Sequence, residues 1–150
     1  PLEAISLSDI SISLSPDAEA GYPEMADDME QMQRAGFFVR NARKLRLHNV
    51  EVTGQLGPAL MLADSTDIDI RACTTHTPCA DARAEYSAVI RLSNVDGAFV
   101  HECQASAETE VFLQAEGETT QGIVFSGNDL SRARRPITLA ENVHSDVAIV

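Results

Sequence analysis

One short pattern, returning at a nearly constant interval, constrains this chain more than any other feature. An apolar pair at alternate positions is followed by a polar turn and a second apolar pair. Phe37 and Val39 precede Asn41, Ala42, Arg43 and Lys44, then Leu45 and Leu47. Leu60 and Leu62 precede Asp64 to Asp67, then Ile68 and Ile70. Ile90 and Leu92 precede Asn94 to Gly97, then Ala98 and Val100. Val111 and Leu113 lead to Ile123 and Phe125, and Ile137 and Leu139 lead to Val147 and Ile149. The second pairs begin at 45, 68, 98, 123 and 147, in steps of 23, 30, 25 and 24 residues. Ile10, Ile12 and Leu14 open the series.

Strands this short are not stable alone. Alternation turns every second side chain inward. Stacking one repeat on the next pairs each strand with its copies and aligns the inward residues in columns. Asn, Asp, Gly and Ser between the pairs suit tight turns. An antiparallel sandwich also has short alternating strands. It does not need the fixed six-residue step seen from 39 to 45, 62 to 68 and 92 to 98. The expectation is an all-β chain folded as a right-handed parallel β-helix of about five or six coils. Aromatic residues are only 5% and Trp is absent, so the core falls to Val, Ile, Leu and Ala.

Two segments break the rhythm. The loop expected over Thr74 to Ser87 absorbs the long step. Pro16 to Ala35 is an acidic insertion, an inserted loop or a short helix at 16-35, with Met25, Met29 and Met32 at helical spacing. Insertions on one face of a solenoid often wall a binding groove. Cys73 lies five residues after Ile68, and Cys103 five after Ala98, matching Val50 and Asn128. The two cysteines are expected in one column as reduced, buried thiols, and Cys79 in a loop. A disulfide between them requires suitable Cα separation and side-chain direction.

The net charge of −12 disfavours nucleic acid and anionic membranes as partners. No run approaches the ~20 apolar residues that span a bilayer. Arg132, Arg134 and Arg135 form a short basic cluster, read as a solvated turn or an anion contact. His48, His76, His101 and His144 lack metal-ligand spacing, so no metal or other cofactor is expected. His48 and His101 follow equivalent inner pairs and are expected to face outward. No nucleophile elbow or phosphate-cradling glycine loop is present. The chain starts at Pro1 without Met or a signal-like leader, and strand-like alternation begins at once. The 150 residues are therefore expected to be one β-helix domain, a C-terminal piece of a longer one. A bare first coil exposes strand edges, so self-association through it is expected.

The order of elements resembles a known family. Gly21-Tyr22-Pro23-Glu24, then Ala35 to Asn41, Leu45 to Val52, and Gly57 to Leu62 are similar to late coils of polygalacturonase-like glycoside hydrolases, family 28 of the pectate-lyase-like superfamily. Phe112 to Gly117, Gly122-Ile123 and Gly127 to Leu130 are similar to the last coils of bacterial members. The resemblance implies an inverting hydrolase of pectic polysaccharide, secreted or periplasmic. One carboxylic acid would protonate the leaving oxygen while a carboxylate activates water.

The family carries this chemistry on Asn-x-Asp, Asp-Asp, Gly-His-Gly and Arg-x-Lys motifs. Gly-His-Gly and Arg-x-Lys are absent here, and Asp27-Asp28 lies in the acidic insertion. Asn41 stands where relatives often carry His. No residue is therefore assigned to catalysis, and the catalytic carboxylates are expected upstream of residue 1. The residues nominated for polysaccharide or oligosaccharide binding are Tyr22, Glu24 and Arg40. Tyr22 would stack on a sugar ring and Arg40 would pair with a carboxylated sugar. The alternative for them is local packing on Pro23 and capping of a turn. Two functions stay open: the scaffold part of a pectin-type hydrolase, or a noncatalytic β-helix module for polysaccharide binding or adhesion.

Overall fold

The computed structural model describes residues 1–15, 35–55, 57–75, 88–107, 109–143 and 147–149. Among these residues there is no helix. The strands are β1 (Leu2–Ser13), β2 (Phe37–Arg40), β3 (Ala42–Thr53), β4 (Leu60–Arg71), β5 (Thr74–Thr75), β6 (Ala88–His101), β7 (Gln104–Ala105), β8 (Thr109–Glu116), β9 (Gln121–Ser126), β10 (Ala133–Leu139) and β11 (Val147–Ile149). They join in one 11-stranded sheet. Every strand pair among the described residues is parallel. Such pairing is consistent with a β-helix or solenoid, in which each stretch of chain lies over the previous one.

The register reproduces the sequence repeat. Leu45 pairs with Ile68, Ile68 with Ala98, Ala98 with Ile123, and Ile123 with Val147. The first pairs stack likewise: Phe37 on Leu60, Leu60 on Ile90, Ile90 on Leu113, and Leu113 on Ile137. These columns are the core, and Leu45, Leu60, Leu62, Ile70, Ile90, Leu92, Leu113 and Ile123 are almost fully buried. One inward column grows along the stack. The registers place Gly36, Ala59, Val89 and Phe112 at one position in successive coils. A Cβ on Gly36 would overlap Val52, whereas Phe112 has room to meet Phe125 edge-on at 6.5 Å.

Corners form columns as well. Asn41, Asp64, Asn94 and Gly117 all have positive φ, at 58°, 47°, 52° and 93°. Ala4, Lys44, Asp67, Gly97 and Gly122 form a second such column, and Asp9, Asn49, Ala72, Glu102 and Gly127 a third. A single left-handed residue bends a strand sharply and leaves the register on either side intact. Asn, Asp and Gly tolerate that conformation best. Side chains repair the ladder where a corner opens it. Ser65 Oγ accepts from the Ala42 N–H at 3.0 Å, and Thr120 Oγ1 accepts from the Val95 N–H at 3.2 Å. Glu118 to Thr120 hold the two extra residues that change the step from 23 to 25 between β8 and β9.

Some expectations shift. Ile10 and Ile12 pair with Val50 and Val52, so they belong to the third side of the coil. The counterpart of Leu45 and Leu47 is Ile5 and Leu7, because the Asp9 corner separates two alternating runs. The loop expected from Thr74 begins later. Thr74 and Thr75 remain in the ladder between β3 and β7, held just beyond the Ala72 corner. The acidic insertion lies almost wholly outside the described residues, and with it the loop or short helix expected there; Cys79, His76 and His144 lie outside them too. Among described residues β1 pairs only with β3, and Ile5, Leu7, Ile10 and Ile12 are half-buried.

Cys73 and Cys103 are free and buried. They stack between Val50 and Asn128, with Cys103 N–H donating to Asn128 Oδ1 at 2.9 Å. A hydrogen bond from the Cys103 thiol holds the Cys73 thiol below its usual range. The same bond, with burial, pushes Cys103 far above it.

Two substitutions test the columns. Leu92→Ala should cost about 2–5 kcal/mol in chemical denaturation, because a fully buried column residue leaves a cavity. Ala72→Gly should raise stability by about 0.5–1 kcal/mol, because it removes the Cβ from a left-handed corner, whereas Ala72→Val should lower it.

Candidate functional site

β2, β4, β6 and β8 lie side by side, and their alternate residues face out. The register sets Phe38, Met61, Arg91 and Gln114 in one outward file, and Arg40, Ala63, Ser93 and Glu116 in the next. Phe38 is exposed at 38%. The other end of the file is polar. Arg91 Nε and Nη2 reach Glu116 Oε1 at 2.9 and 2.8 Å, and Gln114 Nε2 reaches Glu116 Oε2 at 3.4 Å. This pair is only 19% and 23% exposed, so salt screens it less than an open surface pair.

Beside these files runs the first corner. Arg40 Nε donates to Asp64 Oδ2 at 2.8 Å. Asn94 Nδ2 donates to Asp64 Oδ1 at 3.4 Å, and Thr119 Oγ1 donates to Asn94 Oδ1 at 3.3 Å. The chain of contacts climbs the corner one coil at a time. Asp64, Thr66, Asn94, Asp96, Glu118 and Thr119 line a groove of about 720 Å³ here. A volume of that order falls in the range of small-molecule clefts. Gly117 is obligatory at the top of the corner: φ is 93°, and a Cβ would overlap the Asn94 side chain.

Arg40, nominated from the sequence, therefore stands on the outward face of β2, with its guanidinium engaged by Asp64. Tyr22 and Glu24 lie outside the described residues, so the three are not seen together. The outward residues of this face that sequence reasoning did not nominate are Phe38, Arg91, Gln114 and Glu116. Their signal was present: Phe38, Arg91 and Gln114 each lie between inward residues of a repeat, and Glu116 follows the inward Ala115 just before the Gly117 corner.

His48 and His101 share an outward column two coils apart, with Arg71 between them. His48 is exposed, while His101 is half-buried against Phe99 and Asp69. Arg134 and Arg135 of the basic cluster both meet Glu110, at 3.2 Å. Among the described residues no group of three or more His, Cys, Asp or Glu is placed to hold a metal ion.

Gly117→Ala should lower stability by about 1–2 kcal/mol, read by thermal denaturation. Adding Asn94→Gly should restore part of the loss, since it removes the overlapping side chain. No family model, curated protein or solved structure matches this chain.

Proposed function

We propose that this chain is a right-handed parallel β-helix that binds acidic polysaccharide across the outer face of β2, β4, β6 and β8. In this reading it is the scaffold part of a pectin-type glycoside hydrolase. Right-handedness follows the strong preference of parallel strand connections within one sheet. The observation that carries the binding reading is the outward file of Phe38, Met61, Arg91 and Gln114, stacked coil on coil beside an acceptor-lined groove. Parallel strands recur about every 4.8 Å, a spacing close to one sugar unit. Phe38 offers a ring for stacking, and Arg91 and Gln114, both already held by Glu116, offer their further N–H groups to sugar hydroxyls.

Bond cleavage is not assigned to these residues. An inverting glycosidase needs two carboxyl groups flanking the scissile bond, one of them protonated. The carboxylates Glu116 and Asp64 are bound by Arg91 and Arg40. Both are tied into ion pairs, so they do not form two free carboxyl groups flanking a bond. The same observation favours the second reading, a noncatalytic polysaccharide-binding module.

The test is calorimetric titration of the chain with oligogalacturonate and with a neutral galacto-oligosaccharide. Binding of the acidic oligomer is expected, and Phe38→Ala should weaken it about tenfold, the equivalent of about 1.4 kcal/mol. Circular dichroism checks that the variant keeps its sheet. Absence of binding to either sugar would sink the proposal. Release of reducing ends by this chain would overturn the separation of binding from cleavage.

A further inference from the structure

Around the corner from that face, β1, β3, β4, β6 and β9 present a second outward column: Ser6, Arg46, Asp69, Phe99 and Val124. A separate groove of about 590 Å³ lies along it, lined by Ser6, Lys44, Arg46, Asp67, Asp69 and Phe99. We propose that this flank groove is a second saccharide site, taking a carboxylated sugar residue. The sugar class rests on the polysaccharide reading above. The preference for an anion rests on the local side chains.

The argument starts with Phe99. Phe99 is 39% exposed, a large apolar residue left in water. It is also held in place. His101, two residues on and so on the same face, stacks on it with centroids 4.0 Å apart and planes within 13°. Asp69 Oδ1 fixes the outer edge of that imidazole, 3.1 Å from Nε2. A fixed aromatic plane is what a sugar ring stacks against at low entropic cost.

The same contact frees a cation. Asp69 is the register neighbour of both Arg46 and Phe99. It binds His101, and among the described residues neither Arg46 nor Lys44 has an ion pair. Neighbouring cations are committed elsewhere: Arg43 to Glu3, Arg71 to Glu102, and Arg40 to Asp64. Two uncommitted cations beside an exposed ring, in a chain of net charge −12, fit one carboxylate on one ring-shaped ligand. Asp67, Asp69 and the Ser6 hydroxyl then remain as acceptors for sugar hydroxyls.

Amide NMR titration of the whole chain tests this, with digalacturonate, a neutral disaccharide and an acidic tetrapeptide as probes. Digalacturonate is expected to shift the amides of Lys44 to Arg46, Asp67 to Asp69 and Phe99, as a set separate from Phe38, Met61 and Arg91. Arg46→Gln is exposed and should not disturb the fold. It should weaken the flank set about tenfold, abolish its preference for the acidic over the neutral sugar, and leave the Phe38 set unchanged. Phe99→Leu should weaken both sugars on the flank. Equal binding of neutral and acidic sugar by the unaltered chain, or no effect of Arg46→Gln, would overturn the site. Peptide binding as tight as the sugar would overturn its saccharide character. Loss of the Phe38 set alone would count against the first face and leave the flank site standing.

Discussion

Everything in this molecule depends on backbone pairing between parallel strands that stay in register through bends. A side-chain period of two makes register unforgiving: a slip of one residue would turn a whole column of leucines to solvent. The corners preserve it by confining each bend to one left-handed residue. Asn41, Asp64 and Asn94 occupy such a corner in successive coils, and the pairs before and after them keep the same partners. Variation in length is admitted elsewhere. The step of 30 residues is taken up between β5 and β6, and two further residues enter at Glu118 to Thr120. Neither disturbs the columns, because both lie between strands.

The register that orders the interior also orders the surface. Arg40 meets Asp64, Arg43 meets Glu3, Arg71 meets Glu102 and Arg91 meets Glu116, and each pair joins one coil to the next. Exposed pairs of this kind contribute about 0–1 kcal/mol each, so they do not hold the stack together. Their effect is on what remains. A carboxylate taken by one arginine is lost to its other neighbours. Arg71 holds the Glu102 carboxyl below its ordinary range, and Asp69 goes to His101. The vacancies left by these choices define where an external anion meets a cation.

This division explains what the sequence disclosed. Inward positions repeat because each must be apolar and fit its neighbours, so the steps from Leu45 to Val147 could be read directly and the pairing agrees with each of them. The column of Cys73 and Cys103 followed by the same counting. Ile10 was harder to phase. Two alternating runs flank Asp9, and only the pairing shows which of them lies over Leu45. Outward residues carry no repeat. Nothing in the string of letters joins Asp69 to His101 rather than to Arg46, since that choice depends on Phe99 fixing the imidazole. Arg40 was visible as a cation at a turn, but its tie to Asp64 is a contact between coils.

One tension remains between the overall charge and an acidic ligand. A net charge of −12 repels a polyanion at long range. At physiological ionic strength that repulsion decays over about 8 Å, roughly the width of a groove rather than of the protein. Within that distance the charge that counts is local. Arg40, Arg43, Lys44 and Arg46 crowd one bend of the chain, out of 11 basic residues in all. Two of these four are paired with Asp64 and Glu3, and two face a groove beside an exposed ring, which Asp67 and Asp69 also line. For the proposed site the acidic remainder would act as a filter. It would slow the approach of unmatched polyanions, while a ligand that places a carboxylate between Lys44 and Arg46 would recover the attraction only on close contact. On the proposed reading, net charge and binding preference would differ in sign without conflict, because they act at different distances.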